Sequence, residues 1–294
     1  MARTGYTLKG WYTASSGGTK IETSTKMTTA GAHTIYAQWT LNNYTLTAVS
    51  ELGGSKLTPK TGWTANGDQQ CSKSVAYGTQ YFNDLPTAAR AGYTFREWTS
   101  DSAGKNAVVT TVKMGAANAT VYAQYTAHTY KINLVQNNSA SDTTSVSNFN
   151  VTYASAVSVP SGTKTTTTRT GYTFQGFYSA RSGGVLVIGT DGKVKASASG
   201  YTDANTKWIN AQSTNGATIN LYAQWSAKTY QIIYNGNGQT SGTMAQQSVT
   251  FDQAVTLTAN AFVKTGYSFV IIWNKKLDKR DADFNIIKED MINM

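Results

Sequence analysis

The residues that could act as acids, bases or nucleophiles in this chain are few, and they form no catalytic pattern. Only 15 of the 294 residues are Asp or Glu, and none of them recurs at an equivalent position in the repeats described below. Two carboxylates that hydrolyse a glycoside can lie far apart in a chain, but repeats that each lack them disfavour such a pair. Ser and Thr are abundant, yet no nucleophile elbow surrounds any of them. The sequence therefore predicts a protein that is not an enzyme.

Side chains and loops that commonly hold metals or cofactors are equally sparse. His33 and His128 lie in polar surroundings, so we expect both on the surface, with too few other donors for a metal site. The Gly-rich segment 236–242 has no following Lys-Ser or Lys-Thr, which favours a hairpin turn over a phosphate loop. The turn signal at 190–193 is too short for a calcium loop. Cys71 is the single cysteine, so no intrachain disulfide can form, and we expect a surface or loop thiol. No cofactor is predicted.

Charge and composition indicate a soluble, β-rich protein with an extracellular character. Charged residues make up 14% of the chain, and Thr, Ser, Gly, Asn and Tyr take their place. The net charge of +10 is scattered, which does not indicate nucleic-acid binding but permits weak attraction to anionic polymers or acidic glycans. No apolar run approaches membrane-spanning length, and the first residues have no apolar core of a signal peptide. If the protein is secreted, we expect this chain to be one piece of it.

Two signatures recur in a fixed order at intervals that suit a small domain. The first is a basic residue, then Thr or Ala, Gly, Tyr, Thr or Ser, and Phe or Leu; the second is an aliphatic residue, Tyr, Ala, Gln and an aromatic residue. The first signature begins at Arg3, Arg90, Arg169 and Lys264, and the second at Ile35, Val121 and Leu221. The chain is therefore predicted to be an array of repeats.

Each repeat is predicted to be a small, mostly β module. A Tyr-x-Leu or Tyr-x-Ile strand follows the second signature, and a Val-Ala/Thr-Tyr/Phe strand comes next. The only helical signal is one possible turn at 87–91. Two aromatic positions recur across three copies, which is typical of packing because large rings bury much apolar area. The predicted aromatic core comprises Trp11, Trp98 and Phe177 at one position and Trp39, Tyr125 and Trp225 at the other.

These signatures resemble the Listeria–Bacteroides repeat, also known as the internalin-type B repeat. The resemblance is carried by "YQIIYNGNGQTSG", "SVTFDQAV", "RTGYTFQGFYSARSGG" and "NLYAQW", and it extends over most of the chain. It implies β-grasp-like modules with a short helix or none, strung like beads on secreted and wall-attached bacterial proteins. It also implies a location at the cell surface and a role as stalk, spacer or adhesive segment, without enzymatic activity.

The repeat boundaries predict two complete modules between two halves. A Glu replaces the expected Gly in the second copy, Tyr125 replaces a Trp, and the third copy carries an insertion expected to extend a loop or add a hairpin. The predicted divisions are 1–40 (C-terminal half), 41–126 and 127–226 (complete, the latter with an insertion at 189–217), 227–270 (N-terminal half) and 271–294 (divergent charged tail).

The ends of the chain leave two questions open. Two interpretations of the tail remain open. Either the reading frame is truncated and shifted after Val270, or residues at about 278–291 form an amphipathic helix. The two half-repeats are complementary and could pair within one chain or between chains, although poorly ordered ends are also expected. Apart from such pairing, a monomer is expected.

Two functions fit the sequence. The first is a non-catalytic stalk or spacer with weak adhesion. The alternative is an adhesin module that binds host or cell-wall glycans through aromatic residues that do not recur among the repeats. The candidate contacts are Trp63, Tyr201 and Trp208. The spacer hypothesis predicts that these rings are buried or isolated on the surface.

Overall fold

A computed structural model describes residues 1–269, and almost all of its regular structure is β. Those residues contain no α-helix and a single 3₁₀ turn at Phe82–Asp84. The prediction of a mostly β fold is confirmed. The expected helical turn at 87–91 is wrong, because Thr87–Ala89 is a strand. Both interpretations of the tail fall outside the described residues.

The first sheet contains three antiparallel strands in the order β2-β1-β3. They are β1 Tyr6–Tyr12, β2 Lys20–Ile21 and β3 Tyr36–Leu41. β1 and β3 carry the two recurring signatures, so these signatures pair with each other across the sheet.

The second sheet has five strands in the order β6-β7-β4-β10-β9. The first and the last strand of the repeat, β4 and β10, lie side by side and parallel at its centre, and the other pairings are antiparallel. Parallel neighbouring strands require a long crossover connection. Here the segment that contains β5 to β9 makes this connection, and it includes no α-helix. The strands are β4 Asn43–Val49, β5 Lys56–Thr58, β6 Thr64–Ala65, β7 Gln70–Ala76, β8 Thr87–Ala89, β9 Tyr93–Thr99 and β10 Ala119–Ala127, with β5 and β8 forming a separate pair.

The third sheet repeats this arrangement in the order β12-β11-β15-β13-β14. Its central pair β11 and β15 is again parallel. A two-stranded hairpin of β16 and β17 follows. The strands are β11 Thr129–Val135, β12 Ser145–Thr152, β13 Tyr172–Tyr178, β14 Leu186–Ile188, β15 Thr218–Ala227, β16 Thr229–Ile232 and β17 Gln247–Thr250.

The chain forms two compact units, and each has its own buried residues. One unit comprises residues 1–129 with 210–217, and the other comprises 130–209 with the chain from 218 onward. In the second unit Tyr130, Ile132 and Leu134 of β11 are fully buried. Their spacing of two residues places them on one face of the strand, as a half-buried strand requires. The predicted division into repeats stays a prediction beside this division into units.

The predicted aromatic core residues are buried to different extents. Trp98 and Phe177 are fully enclosed, and the other four, Trp11, Trp39, Tyr125 and Trp225, are half-buried.

A local exchange of hydrogen bonds accommodates Tyr125 at a position where other copies have Trp. The indole Nε1 of Trp225 donates to the carbonyl of Asn137 at 3.1 Å. At the corresponding place in the second sheet, the Tyr125 hydroxyl is 3.0 Å from Ser50 Oγ, and Ser50 is buried. A buried polar atom needs a partner, and each repeat supplies one suited to its own ring.

The missing glycine of the second copy is explained by the strand pairing. Gly10 and Gly176 form a β-bulge, and a Cβ atom at Gly176 would lie 2.6 Å from the carbonyl oxygen of Ile188 on the neighbouring strand β14. β9 has the same bulge at Glu97, but it is the edge strand of its sheet. With no strand beyond it, a side chain fits at Glu97.

Trp208 holds a position that recurs in the second sheet as Met114. The Trp208 carbonyl accepts from Ala154 N–H at 2.8 Å, and Trp208 N–H donates to Ser155 O at 3.0 Å. Met114 makes the same two bonds to Gly78 and Thr79, at 2.8 and 2.9 Å. Both side chains are 1% exposed. The insertion in the third copy therefore leads back to the core. We call the residue at this position, Met114 or Trp208, the plug, and a Lys precedes it in both copies.

Replacing Trp208 with Ala should reduce the stability of the third sheet by about 3–5 kcal/mol, because a fully buried ring is removed. Trp208→Met should cost markedly less, since Met fills the equivalent position elsewhere in this chain. Hydrogen exchange of the β11 amides would measure the loss locally. The control Ile209→Ala alters a residue that is 42% exposed, and its effect should stay within about 0.5 kcal/mol. An equal loss in the control and in Trp208→Ala would contradict the plug assignment.

Candidate functional site: the joint between repeats

The structure places Tyr201 and Trp208, two of the three proposed glycan contacts, against each other. Trp208 is 1% exposed and Trp63 is 8% exposed, and the Trp63 indole donates to the carbonyl of Asp84 at 2.9 Å. Tyr201 is half-buried, with its ring edge-on to Trp208 at 5.7 Å. Stacking of a sugar needs an open ring face, which the two Trp residues lack in this structure. The glycan hypothesis stays a prediction, and Tyr201 is its most accessible residue.

Two residues expected on the surface are buried. Cys71 lies in β7 with 0% exposure, and burial raises the pKa of its thiol, so little reactive thiolate forms at neutral pH. His128 is 5% exposed; its Nε2 is 3.0 Å from Thr94 Oγ1. His33 is exposed, as expected. Both buried side chains thus contribute to packing.

The first recurring signature folds as a tight turn in which a cation covers a tyrosine ring. In every copy the Tyr N–H donates to the carbonyl of the basic residue three positions earlier, at 3.0 to 3.2 Å. The cationic group then lies over the same Tyr ring, with a contribution of about 0.5–1 kcal/mol at exposed sites. The distances to the ring centroid are 3.9 Å for Arg3 and Tyr6, 4.3 Å for Arg90 and Tyr93, 3.8 Å for Arg169 and Tyr172, and 4.7 Å for Lys264 and Tyr267.

The glycine of this signature binds the residue that links one repeat to the next. Asn42, the only residue between β3 and β4, donates its N–H to Gly5 O at 3.0 Å and accepts from Tyr77 N–H at 2.9 Å. Lys228, the only residue between β15 and β16, is bonded in the same way to Gly171 and Phe251, both at 2.9 Å. Each linker is thus fixed on both sides by backbone hydrogen bonds.

An aromatic ring of the following repeat covers the same glycine. A Cβ atom at Gly5 would overlap the Tyr77 ring, and one at Gly171 would overlap the Phe251 ring. Each ring also meets the signature tyrosine edge-on, with centroids 6.3 Å apart for Tyr6 and Tyr77 and 5.5 Å apart for Tyr172 and Phe251. We call this set of contacts the joint: the basic residue, glycine and tyrosine of the signature, the linker residue and the aromatic residue of the next repeat.

Only glycine suits the centre of the joint. Gly5 and Gly171 have φ angles of +76° and +77°, a region that favours residues without a Cβ atom. Gly92 has the same φ of +76°, and its carbonyl accepts from His128 N–H at 2.8 Å. The chemistry of the site is therefore close packing and backbone hydrogen bonding.

The glutamine of the second signature fixes the loop after β1 and after β13. Gln224 Nε2 donates to the carbonyls of Ala180 and Gly183. Gln38 makes the equivalent bonds to Ala14 and Gly17, at 3.1 and 2.7 Å. This recurring polar residue thus holds a loop.

A ligand or metal could also bind at a surface depression or at a cluster of ligating side chains among the described residues. Within residues 1–269 no three His, Cys, Asp or Glu side chains lie together as a metal site. One half-open depression of about 220 Å³ is lined by Glu51, Ser102 and Tyr122 among others, and a second of about 380 Å³ is lined by Arg90, His128 and Gln212 among others. No helix in the described part is both long and apolar enough to cross a bilayer.

The Listeria-Bacteroides repeat domain matches residues 1–38, 62–124, 130–199 and 230–292, which is most of the chain. The chain belongs to this family. The recognition from sequence is therefore confirmed, and the joint lies on the signatures by which the family was recognised.

The curated relatives are longer proteins. Internalin H of Listeria monocytogenes is 37% identical over 124 residues, which cover 42% of this chain and 19% of that protein. A protein of Evansella cellulosilytica named as a Gly-rich membrane protein is 25% identical over 248 residues, covering 81% of this chain and 24% of its own length. A second protein of that organism, named as a membrane protein, is 23% identical over 287 residues, covering 95% and 36%. This chain thus spans a fifth to about a third of these relatives, and no solved structure matches it.

Gly171→Ala should destabilise the joint through two effects that a control can separate. The positive φ costs about 1–2 kcal/mol for a residue with a Cβ atom. Overlap with the Phe251 ring should add about 1–3 kcal/mol. Gly162→Ala supplies the control, because Gly162 has a φ of +79° and nothing within 4 Å of its Cβ position. Chemical denaturation would measure the global stability of both variants, and hydrogen exchange of the Lys228 amide would measure the stability of the joint. Equal losses of stability in the two variants would argue against the joint.

Proposed function

We propose that this chain is a non-catalytic spacer of a bacterial cell-surface protein, and that its joints hold neighbouring repeats in a fixed orientation. The observation that carries the proposal is the joint itself, which is built twice from the same residue types with the same hydrogen bonds. In a module with a binding site, we would expect the residues around a surface pocket to differ from those of the other repeats. Here the recurring residues are used in packing between repeats.

The length of the linkers supports a stiff arrangement. A flexible linker is rich in Gly and Ser and has many residues free to rotate. Asn42 and Lys228 stand alone between consecutive strands, and their backbone N–H and C=O groups are both engaged. Ordering a single linker residue costs little entropy compared with ordering a long one. Each joint is therefore expected to limit bending between the repeats that it connects.

Family membership supports the surface location. Repeats of this kind are expected on secreted and wall-attached proteins, and two relatives carry the words membrane protein in their names. In such a setting a spacer carries another part of the protein away from the surface. The excess of 25 Lys and Arg over 15 Asp and Glu would add weak, salt-sensitive attraction to anionic wall polymers.

The fixed joint can be tested with spin labels at Thr190 and Ser248, exposed residues on either side of the joint at Gly171. Cys71 is buried and should remain unlabelled in the folded protein. We expect a narrow distance distribution by double electron–electron resonance. It should be nearly as narrow as that of the control pair Thr190, which lies just after β14, and Asn148 in β12 of the same sheet. Gly171→Ala should broaden the first distribution and leave the second unchanged. A broad distribution in the unaltered chain would contradict the proposal.

A binding measurement separates the spacer from the glycan-binding alternative. The full chain should bind anionic wall polymers on an array at low ionic strength only, because scattered surface charges are screened at physiological salt. Saturable binding that persists at physiological salt and is lost in Tyr201→Ala would instead support the adhesin. Thr190→Ala, a change at an exposed residue of the third copy, is the control.

A further inference from the structure

The third copy holds one of its own arginines in a site beside the loop that follows β13. The guanidinium of Arg181 lies over the Tyr222 ring, 4.8 Å from the ring centroid. Its Nη1 donates to Asn137 Oδ1 at 2.9 Å and to the carbonyl oxygen of Asp142 at 2.7 Å. Hydrogen bonds from a charged donor are stronger than those between neutral groups, and the ring adds a cation–π contact. The third copy therefore shows how this fold binds a guanidinium.

The second copy keeps the tyrosine of this site and has no arginine at the corresponding position. Tyr122 corresponds to Tyr222, because each is the tyrosine of the second signature. Ser102 follows the glycine of the first signature at the same distance as Arg181 does. A serine side chain is too short to extend over the tyrosine ring. The second copy thus has the ring of the site but cannot cover it from the same position.

The second copy also has a carboxylate where the third copy has an amide. Tyr122 and Tyr222 each pair with the last residue of the adjacent parallel strand, β4 or β11. Two positions further along the chain stands Glu51 in the second copy and Asn137 in the third. A carboxylate accepts two parallel hydrogen bonds from a guanidinium and carries the opposite charge. Glu51 is therefore a stronger acceptor for an arginine than the amide that receives Arg181.

These residues surround the half-open depression of about 220 Å³ that is lined by Glu51, Ser102 and Tyr122, and we call it the Glu51 pocket. Small-molecule sites usually measure about 300–1,000 Å³, so the Glu51 pocket suits a single side chain. Within residues 1–269 the Glu51 carboxylate forms no ion pair. Arg96, a cation on β9, is paired with Glu97 at 3.0 Å. The Glu51 pocket thus offers an acceptor and a ring to a cation from another molecule.

We propose that the Glu51 pocket binds the arginine side chain of a partner protein, in the position that Arg181 takes in the third copy. In this arrangement the guanidinium stacks on Tyr122 and donates to the Glu51 carboxylate. Arginine is assigned rather than lysine, because its planar group stacks on a ring and matches the two oxygens of a carboxylate. The inference goes beyond the spacer function and does not depend on the rigidity of the joints.

Titration of the isotope-labelled full chain with a blocked peptide, acetyl-Gly-Arg-Gly-amide, tests the Glu51 pocket directly. We expect saturable NMR shift changes at the amides of Glu51, Ser102 and Tyr122. The dissociation constant should be on the order of millimolar, since one exposed ion pair and one cation–π contact contribute little. The same peptide with citrulline, which is neutral and has nearly the same shape, should not bind. A lysine peptide should bind at least about threefold more weakly than the arginine peptide.

Two substitutions test which residues form the binding site. Ser102→Arg should place a guanidinium in the Glu51 pocket from within the chain, as Arg181 does in the third copy, and weaken peptide binding at least roughly tenfold. Glu51→Gln should weaken peptide binding about threefold, because the ion pair is lost. The matched control is Thr110→Arg, which adds the same charge at an exposed residue of the second copy outside the pocket. It should change peptide binding by no more than about twofold, since distant surface charges are screened.

Three results would each overturn the inference: equal peptide binding by the Ser102→Arg and Thr110→Arg variants, equal binding of the citrulline peptide, or no saturable shift at the three amides. The same NMR spectra verify that every variant is folded. The spacer function would stand in all three cases, because none of them bears on the joints.

Discussion

The close approach of an aromatic ring to a glycine Cα is the contact on which the order of this repeat array depends. At Gly5 and Gly171 the ring of the next repeat occupies the space of a missing side chain. The same glycine has a positive φ and offers its carbonyl to the linker residue. Three separate requirements thus fall on one residue, and any side chain there would disturb the ring and the turn together. The flanking Arg and Tyr enclose this point with a cation–π contact.

The repeats differ most where the joint is not involved. Trp is replaced by Tyr at 125, glycine by Glu at 97, and Trp208 occupies the position of Met114. Each difference has a local explanation: a bond to Ser50, the absence of a strand beyond β9, and a pair of backbone hydrogen bonds that Met114 and Trp208 both make. Such changes can arise one at a time, because each residue has its own local partners.

Much of the fold could be predicted from the sequence, because the strands have clear signatures and Gly-rich turns. The Tyr-x-Ile pattern predicted a strand at Tyr130. It could not show that this strand lies parallel to β15, since that depends on contacts far apart in the chain. The site was harder to predict. The Arg-Gly-Tyr signature was visible, yet its partner ring at Phe251 lies 80 residues away, and no local pattern connects them. Trp208 was offered as a glycan contact because no Trp recurs at its position, whereas the preceding Lys is the feature that it shares with Met114.

The plug also has a consequence for how long a repeat can be. The chain runs from Trp98 to Met114 in the second copy and from Phe177 to Trp208 in the third, yet both excursions end in the same two backbone bonds. The number of residues between these two positions can therefore change without altering the rest of the module. Foreign segments could be grafted at this site, provided that one large apolar residue closes the excursion. Lineages carrying this repeat would then have a place to acquire new surfaces while the connection between modules stays unchanged.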